Sequence, residues 1–330
     1  MQPSSLLIDR LDRAPVEHPG AQLSSMLHDG ELSLPHPGDG DTTRRWATLT
    51  GWGRWDLPLA RLAEGHVDAV AILRELGGRP HPGARYGVWA ARPGGVGACL
   101  VGAAGGRRLT GTVRFCSGSR DLDRALVVAT EGTGGHTTTL LVDVALDRSK
   151  IRVDDHSWAA LGMRASETFD VTFDDLPVAD EDVVGPPGSY LERPGFWWGG
   201  GGVAAVWLGG AAGVLDDVLA VLGTVDEHRL AHIGALHTEL QAVDALLVRT
   251  AEAIDADPSH AHRTAVWTAR AAAERVCRSV VDRAPVAAGV TGLVDSPTLS
   301  ARLADLQIYV RQHHGERDLA ALGSVVLDAR

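Results

Sequence analysis

The chain has 330 residues, with 31 Lys and Arg against 42 Asp and Glu, a formal net charge of −11 and 45% hydrophobic residues. That length carries two or three domains with a sizeable core, and the composition is that of a soluble globular protein. No Lys/Arg-dense stripe interrupts the acidic balance, which argues against nucleic acid as a partner. Three cysteines, Cys99, Cys116 and Cys277, are too few for a disulfide framework and lack metal spacing. They fit a reducing, cytoplasmic setting, as does the absence of a basic and apolar leader in residues 1–11.

Residues 1–56 are rich in Pro, Gly, Asp and His, with short helices expected at 4–11 and 21–27 and a loop at 36–41. Trp46, Trp52 and Trp55 cluster after that loop and read as packing against a neighbouring domain, with ligand stacking as the alternative. Residues 57–76 are the first clear helix, since Leu59, Leu62, Ala63, Val67, Val70 and Leu73 recur at three and four. Gly77-Gly78 ends it and residues 79–83 form a linker. Residues 86–91 begin a β-region. It continues through a strand opening at Leu109, a buried strand at 125–129, and strands at 137–144 and 169–173 with turn signals between, the pattern of short antiparallel strands.

Gly185-Pro186-Pro187-Gly188 reads as a domain linker, and Gly199–Gly202 as a glycine turn suited to close helix packing or, alternatively, to a ligand. Residues 203–222 are small and apolar, a helix buried on most sides. Asp216 and Asp217 within it argue against a membrane span. Helices follow at 226–256, 262–283, 296–314 and 316–327, with a break at 285–292. His228 and His232 share a helix face, but without further ligand spacing they read as exposed histidines, and no metal is expected.

Two motifs carry the chemistry. Gly111-Thr112-Val113-Arg114-Phe115-Cys116-Ser117-Gly118 ends a strand in a hydroxyl and a glycine, able to present an Oγ to a flat ligand. The second is Leu161-Gly162-Met163-Arg164-Ala165-Ser166-Glu167-Thr168, followed by Val171, Phe173, Asp175, Leu176, Pro177 and Val178. In this order and spacing, and with a helical region after them, they resemble the acyl-CoA dehydrogenase superfamily of flavoproteins. The likeness runs from about residue 57 to the C-terminus.

The resemblance implies an α+β fold in three parts: a short N-terminal helical domain (1–84), a middle antiparallel β-barrel or sandwich (85–185) and a C-terminal bundle of four to five helices (186–330). It implies FAD, with FMN or reduced flavin in the monooxygenase branch, and contacts to the flavin from Tyr86, Val88, Trp89, Phe115, Ser117 and Gly118. For Trp89 a role as a buried strand residue stands beside the ligand role. The activity implied is α,β-oxidation of an acyl thioester with hydride transfer to flavin N5. The partners implied are an electron-accepting flavoprotein or a reductase, in a homodimer or homotetramer.

The base departs from the family pattern. Eight residues after Asp305 stands His313, not Glu, and Glu316 follows three residues on, so both are candidates. A histidine here resembles the flavin monooxygenase branch of the same fold, where an imidazole can hydrogen-bond oxygen chemistry at the flavin. That branch, and a degenerate member without catalysis, are the alternatives to the dehydrogenase.

Overall fold

A computed structural model of the protein describes residues 3–7, 13, 15–103, 106–132 and 137–328. Three helices open it: α1 (Pro19–His28), α2 (Thr42–Trp55) and α3 (Leu57–Glu75). α3 begins where expected because Asp56 caps it, accepting the Leu59 N–H at 2.8 Å, with Pro58 in the first turn. α2 is a helix that the reading of residues 1–56 left out. Its three tryptophans are buried and pack in the core, the first of the two alternatives above. The helix expected at 4–11 falls partly outside the described residues, and Ser5 and Leu6 are instead tied to Asp244 without helical structure.

The strands are β1 (Tyr86–Trp89), β2 (Ala98–Ala103), β3 (Gly106–Cys116), β4 (Arg124–Glu131), β5 (Thr138–Ala145), β6 (Ile151–Asp154), β7 (Phe169–Val178) and β8 (Val183–Val184). They form one sheet in the order β6-β7-β3-β2-β4-β5-β8. Most neighbours are antiparallel, but β4 pairs in parallel with β1 along its first half and with β2 along its second. Thus β1 and β2 share one edge of β4.

After the short α4 (Ser189–Glu192) come α5 (Pro194–Val221), α6 (Glu227–Ala256), α7 (Arg263–Asp295), α8 (Pro297–Tyr309) and α9 (Glu316–Asp328). Glycines 199–202 are not a turn; they lie inside α5, where the missing Cβ lets another helix approach. A Cβ on Gly201 would sit 2.4 Å from the Trp46 ring. At Gly209 it would sit 2.0 Å from the Thr50 carbonyl oxygen, and at Gly53 it would sit 2.2 Å from that of Val206. α2 and α5 therefore cross backbone to backbone. By length and composition α5 alone among the described helices could cross a membrane, but 78% of its apolar window is buried within the fold, so it is the core helix. The break expected at 285–292 is a bend: the helix passes through Pro285 and turns at Gly289, whose φ is 73°.

The second sequence motif is the seam between sheet and bundle. A Cβ on Gly162 would fall 2.0 Å from the Ala304 carbonyl oxygen, so α8 lies directly on this loop. The Met163 N–H donates to the Asp305 carboxylate, which burial pushes up to about 6. One turn earlier Arg302 donates to Asp217 at 2.8 Å and to the carbonyls of Arg54 and Trp55. This buried guanidinium fastens α8 to α5 and to the end of α2.

Candidate active site

β3 leaves the sheet through Phe115, a non-glycine residue at φ 61°, and its ring stays 42% exposed. Arg114 stacks over that ring at 4.6 Å and Trp158 meets it edge-on at 6.4 Å. Ser117 follows, buried and fixed from two sides. Trp89 Nε1–H donates to its carbonyl at 3.1 Å, and Thr168 Oγ1 donates to its Oγ at 2.9 Å. Ser166 Oγ stands 2.8 Å from Thr168 Oγ1 and donates to the Met163 carbonyl. The Ser117 hydroxyl thus accepts from behind and keeps its own proton for what lies in front. Gly118, at φ 68°, allows the turn, and a Cβ there would meet Leu122 at 2.8 Å.

β1 runs alongside. Its Tyr86 N–H points away from β4 and donates to His66 Nδ1 at 3.1 Å. Alternation along the strand turns the Val88 N–H and C=O to the same side. There they line a crevice of about 10 Å³ with Arg61, Leu62, Gly65 and Ser117.

The opposite wall is helical and charged. Arg61 and Glu64 on α3 pair at 2.6 Å, and Asp68, one turn on, pairs with the buried Arg45 at 2.8 Å. Burial raises the Glu64 carboxyl far above the usual range, the neighbouring Asp68 adds to this, and Arg61 opposes it. From α7 the Arg270 guanidinium lies over the Trp207 ring at 4.8 Å, and Tyr309 from α8 meets the same ring edge-on at 6.4 Å. Tyr309 is 3% exposed, its hydroxyl has no hydrogen-bond partner, and burial raises its pKa well above the ordinary value. Arg61 Nε is likewise buried without a partner.

His313 closes this wall at 6% exposure. Its Nδ1 accepts the Gly315 N–H at 3.2 Å, so the neutral ring carries its proton on Nε2. Burial lowers its pKa first of all, with Arg270 acting the same way and Asp318 opposing. The imidazole is therefore neutral at pH 7. A larger cavity, about 320 Å³, lies further along α3 between His36, Asp68, Ile72 and Trp198. Its Arg74 and Arg193 are engaged by Asp39 and Glu75 at 2.8 and 2.7 Å.

No protein-family model matches the chain. Over 88 residues it is 29% identical to dibenzothiophene monooxygenase of Rhodococcus erythropolis, a match covering 26% of this chain and 21% of that protein. The alignment thus spans about a fifth of that relative's length. The structure superposes on dibenzothiophene monooxygenase TdsC from Paenibacillus sp. A11-2, solved with FMN and indole, with a TM-score of 0.81 at 20% identity over 95% of this chain and 91% of that one. It superposes on butyryl-CoA dehydrogenase from Megasphaera elsdenii with a TM-score of 0.76 at 15% identity over 96% and 100%. The chain has the acyl-CoA dehydrogenase fold.

Within that fold the residues expected at the site do not all come together. Val88 and Ser117 line the crevice with Arg61, and Gly118 follows Ser117, whereas Phe115 faces Trp158 and Arg114, and His313 lies with Arg270 and Asp318 at the end of α8. Tyr86 and Trp89 turn their side chains into cores on either side of β1. The Tyr86 hydroxyl donates to Asp143 and accepts from the His81 N–H, so only its backbone reaches the crevice. Trp89 is the buried strand residue of the two readings, and it acts on the site by holding the Ser117 carbonyl. Glu316 is exposed in the first turn of α9 and does not join the buried cluster. Sequence reading missed Arg61, Glu64, Arg270 and Tyr309. The signal available was Arg61, Glu64 and Asp68 at i, i+3 and i+7, charged residues on the face where α3 carries its apolar stripe. Among the described residues no group of three metal ligands occurs, and His228 and His232 stand on α6 away from the site.

Proposed function

We propose that the protein is a flavin-dependent oxidoreductase that uses reduced flavin and dioxygen, a monooxygenase of the acyl-CoA dehydrogenase fold. The observation that carries this is the acid/base group. The buried residue at the helix end is neutral His313 with its Nε2 proton unengaged, while the carboxylate needed to remove a thioester α-proton, Glu316, lies exposed. The partial sequence match to a monooxygenase and the likeness to TdsC, solved with FMN, support it.

The chemistry of these residues suits a flavin ring, which the crevice of about 10 Å³ between them would have to widen to admit. The Val88 edge and the Ser117 hydroxyl offer donors and an acceptor to its polar rim, Phe115 offers an open aromatic face, and Arg61 Nε is an orphaned buried donor. A reduced flavin bound there supplies the electrons that activate oxygen. Ser117 orients the ring edge through the proton left free by the Thr168 bond. His313 holds a proton on Nε2 for oxygen chemistry at the ring, its pKa lowered so that this proton is a hydrogen-bond donor's and not an imidazolium's. Oligomerisation through the exposed apolar row of Val286, Val290 and Val294 beyond the bend in α7 is part of this proposal.

The test is an anaerobic titration of the flavin-loaded protein with a panel of acyl-CoAs, followed by chemical reduction and mixing with oxygen. Flavin binding, no bleaching by thioesters, and oxygen consumption slowed about tenfold or more by His313→Ala but not by Glu316→Gln are expected. Bleaching by an acyl-CoA that Glu316→Gln abolishes would replace this proposal with the dehydrogenase. Failure to bind any flavin would leave a degenerate scaffold.

A further inference from the structure

Arg270 is unlike the other wholly or partly buried arginines of this region. The guanidiniums of Arg45, Arg61, Arg193 and Arg302 each rest on a carboxylate, at 2.6 to 2.8 Å. Arg270 has none. Its one hydrogen bond runs from Nη1 to the Gly200 carbonyl at 2.5 Å. The acids whose charge reaches it are engaged elsewhere: Glu64 by Arg61 and Asp318 by His314. A partly buried cation held over an indole with no carboxylate on it keeps its remaining N–H groups available to a counter-charge. On the same Trp207 ring lies Tyr309, nine-tenths buried and more, whose hydroxyl proton also has no acceptor. A planar fork and a lone O–H converging beside His313 are the donor set that a carboxylate or sulfinate takes up.

We propose that the substrate of this site carries an anionic oxygen group, a carboxylate or sulfinate, bound by Arg270 and Tyr309; the assignment of the ligand as substrate rests on the function proposed above. The fork fixes the group bidentately, and Tyr309 sets its rotation, which presents the remainder of the molecule to the His313 side.

Calorimetric titration of the full-length, FMN-supplemented protein with benzoate, benzenesulfinate and the neutral benzamide tests this. Benzoate and benzenesulfinate are expected to bind at least about tenfold more tightly than benzamide. Arg270→Gln is expected to erase that preference, Tyr309→Phe to weaken benzoate about tenfold, and Arg270→Lys to keep the charge but lose most of the gain. All three variants are compared with the parent by circular dichroism and melting temperature. Equal binding of benzamide, or a preference that survives Arg270→Gln, overturns the proposal. So does displacement of benzoate by an equal concentration of inorganic phosphate, which would make this a phosphate site. FMN affinity is followed separately by absorbance. An anion preference without FMN binding supports the anion site while removing the flavin function.

Discussion

Acidification should loosen the protein through one histidine. His66 lies on α3 at 5% exposure, and its Nδ1 accepts the Tyr86 N–H that holds β1 to the helix. Burial lowers its pKa from 6.5 to about 4. Protonation would place a cation in that core and break the bond to β1. Because the folded value lies below the unfolded one, the unfolded chain takes up the proton first. The contribution to stability is complete above pH 6.5 and is lost as pH falls toward 4. The loss is about 2 kcal/mol at pH 5 and levels off near ~3.4 kcal/mol below both values. The assay is urea denaturation at pH 7.5 and 5.0 for the parent and for His66→Asn, whose amide oxygen can accept the same N–H without titrating. Other acidic and histidine groups are common to both chains, so the parent should lose about 2 kcal/mol more than the variant. Equal losses in the two chains would refute the reasoning. Since Val88 on the same strand faces Ser117, flavin affinity should fall over the same pH range.

Gly209→Ala, with a Cβ 2.0 Å from the Thr50 carbonyl oxygen, should cost about 3 kcal/mol and lower the melting temperature by about 4 °C. Gly223→Ala, which meets nothing within 4 Å, should leave the melting temperature in place. Arg302→Leu removes the ion pair to buried Asp217 and two carbonyl bonds, and should cost about 3 kcal/mol in chemical denaturation. A loss under 1 kcal/mol would mean that the seam is held mainly by the Gly162 contact.

α3 was legible in the sequence because its apolar spacing and its caps agree. The strands were legible as far as they are apolar: β4, β5 and β7 were read, whereas β2, β6 and β8, short or glycine-bearing, were not. α2 escaped because Gly51 and Gly53, read locally, break a helix; in the fold they are what lets it cross α5. The same misreading made a turn of residues 199–202. In both places tertiary packing against a neighbouring backbone outweighs the entropy that glycine costs a helix. At the candidate site, the structure buries Ser117 and His313, which with Gly118 were singled out through their motifs. Arg270 and Tyr309 were not, since a buried guanidinium on an Ala- and Arg-rich helix has no local pattern to separate it from its exposed neighbours. Trp89 and Tyr86 were placed on the right strand, but strand alternation alone could not say which cores their rings would enter.

The seam at Gly162, Met163 and Asp305 has a bearing on how molecules enter. One helix, α8, seats the loop beneath the Ser117 turn through Ala304 and Asp305 and leads into His313 at its other end. Admission by hinge opening would first have to lift Gly162 off the Ala304 carbonyl. The turn at residues 310–315, which leads from α8 to His313, and the α3 side chains Arg61 and Glu64 can be changed without touching that contact. Broadening the range of accepted molecules would call for trimming side chains at those two places; lengthening the connections between sheet and bundle would leave the aperture as it is.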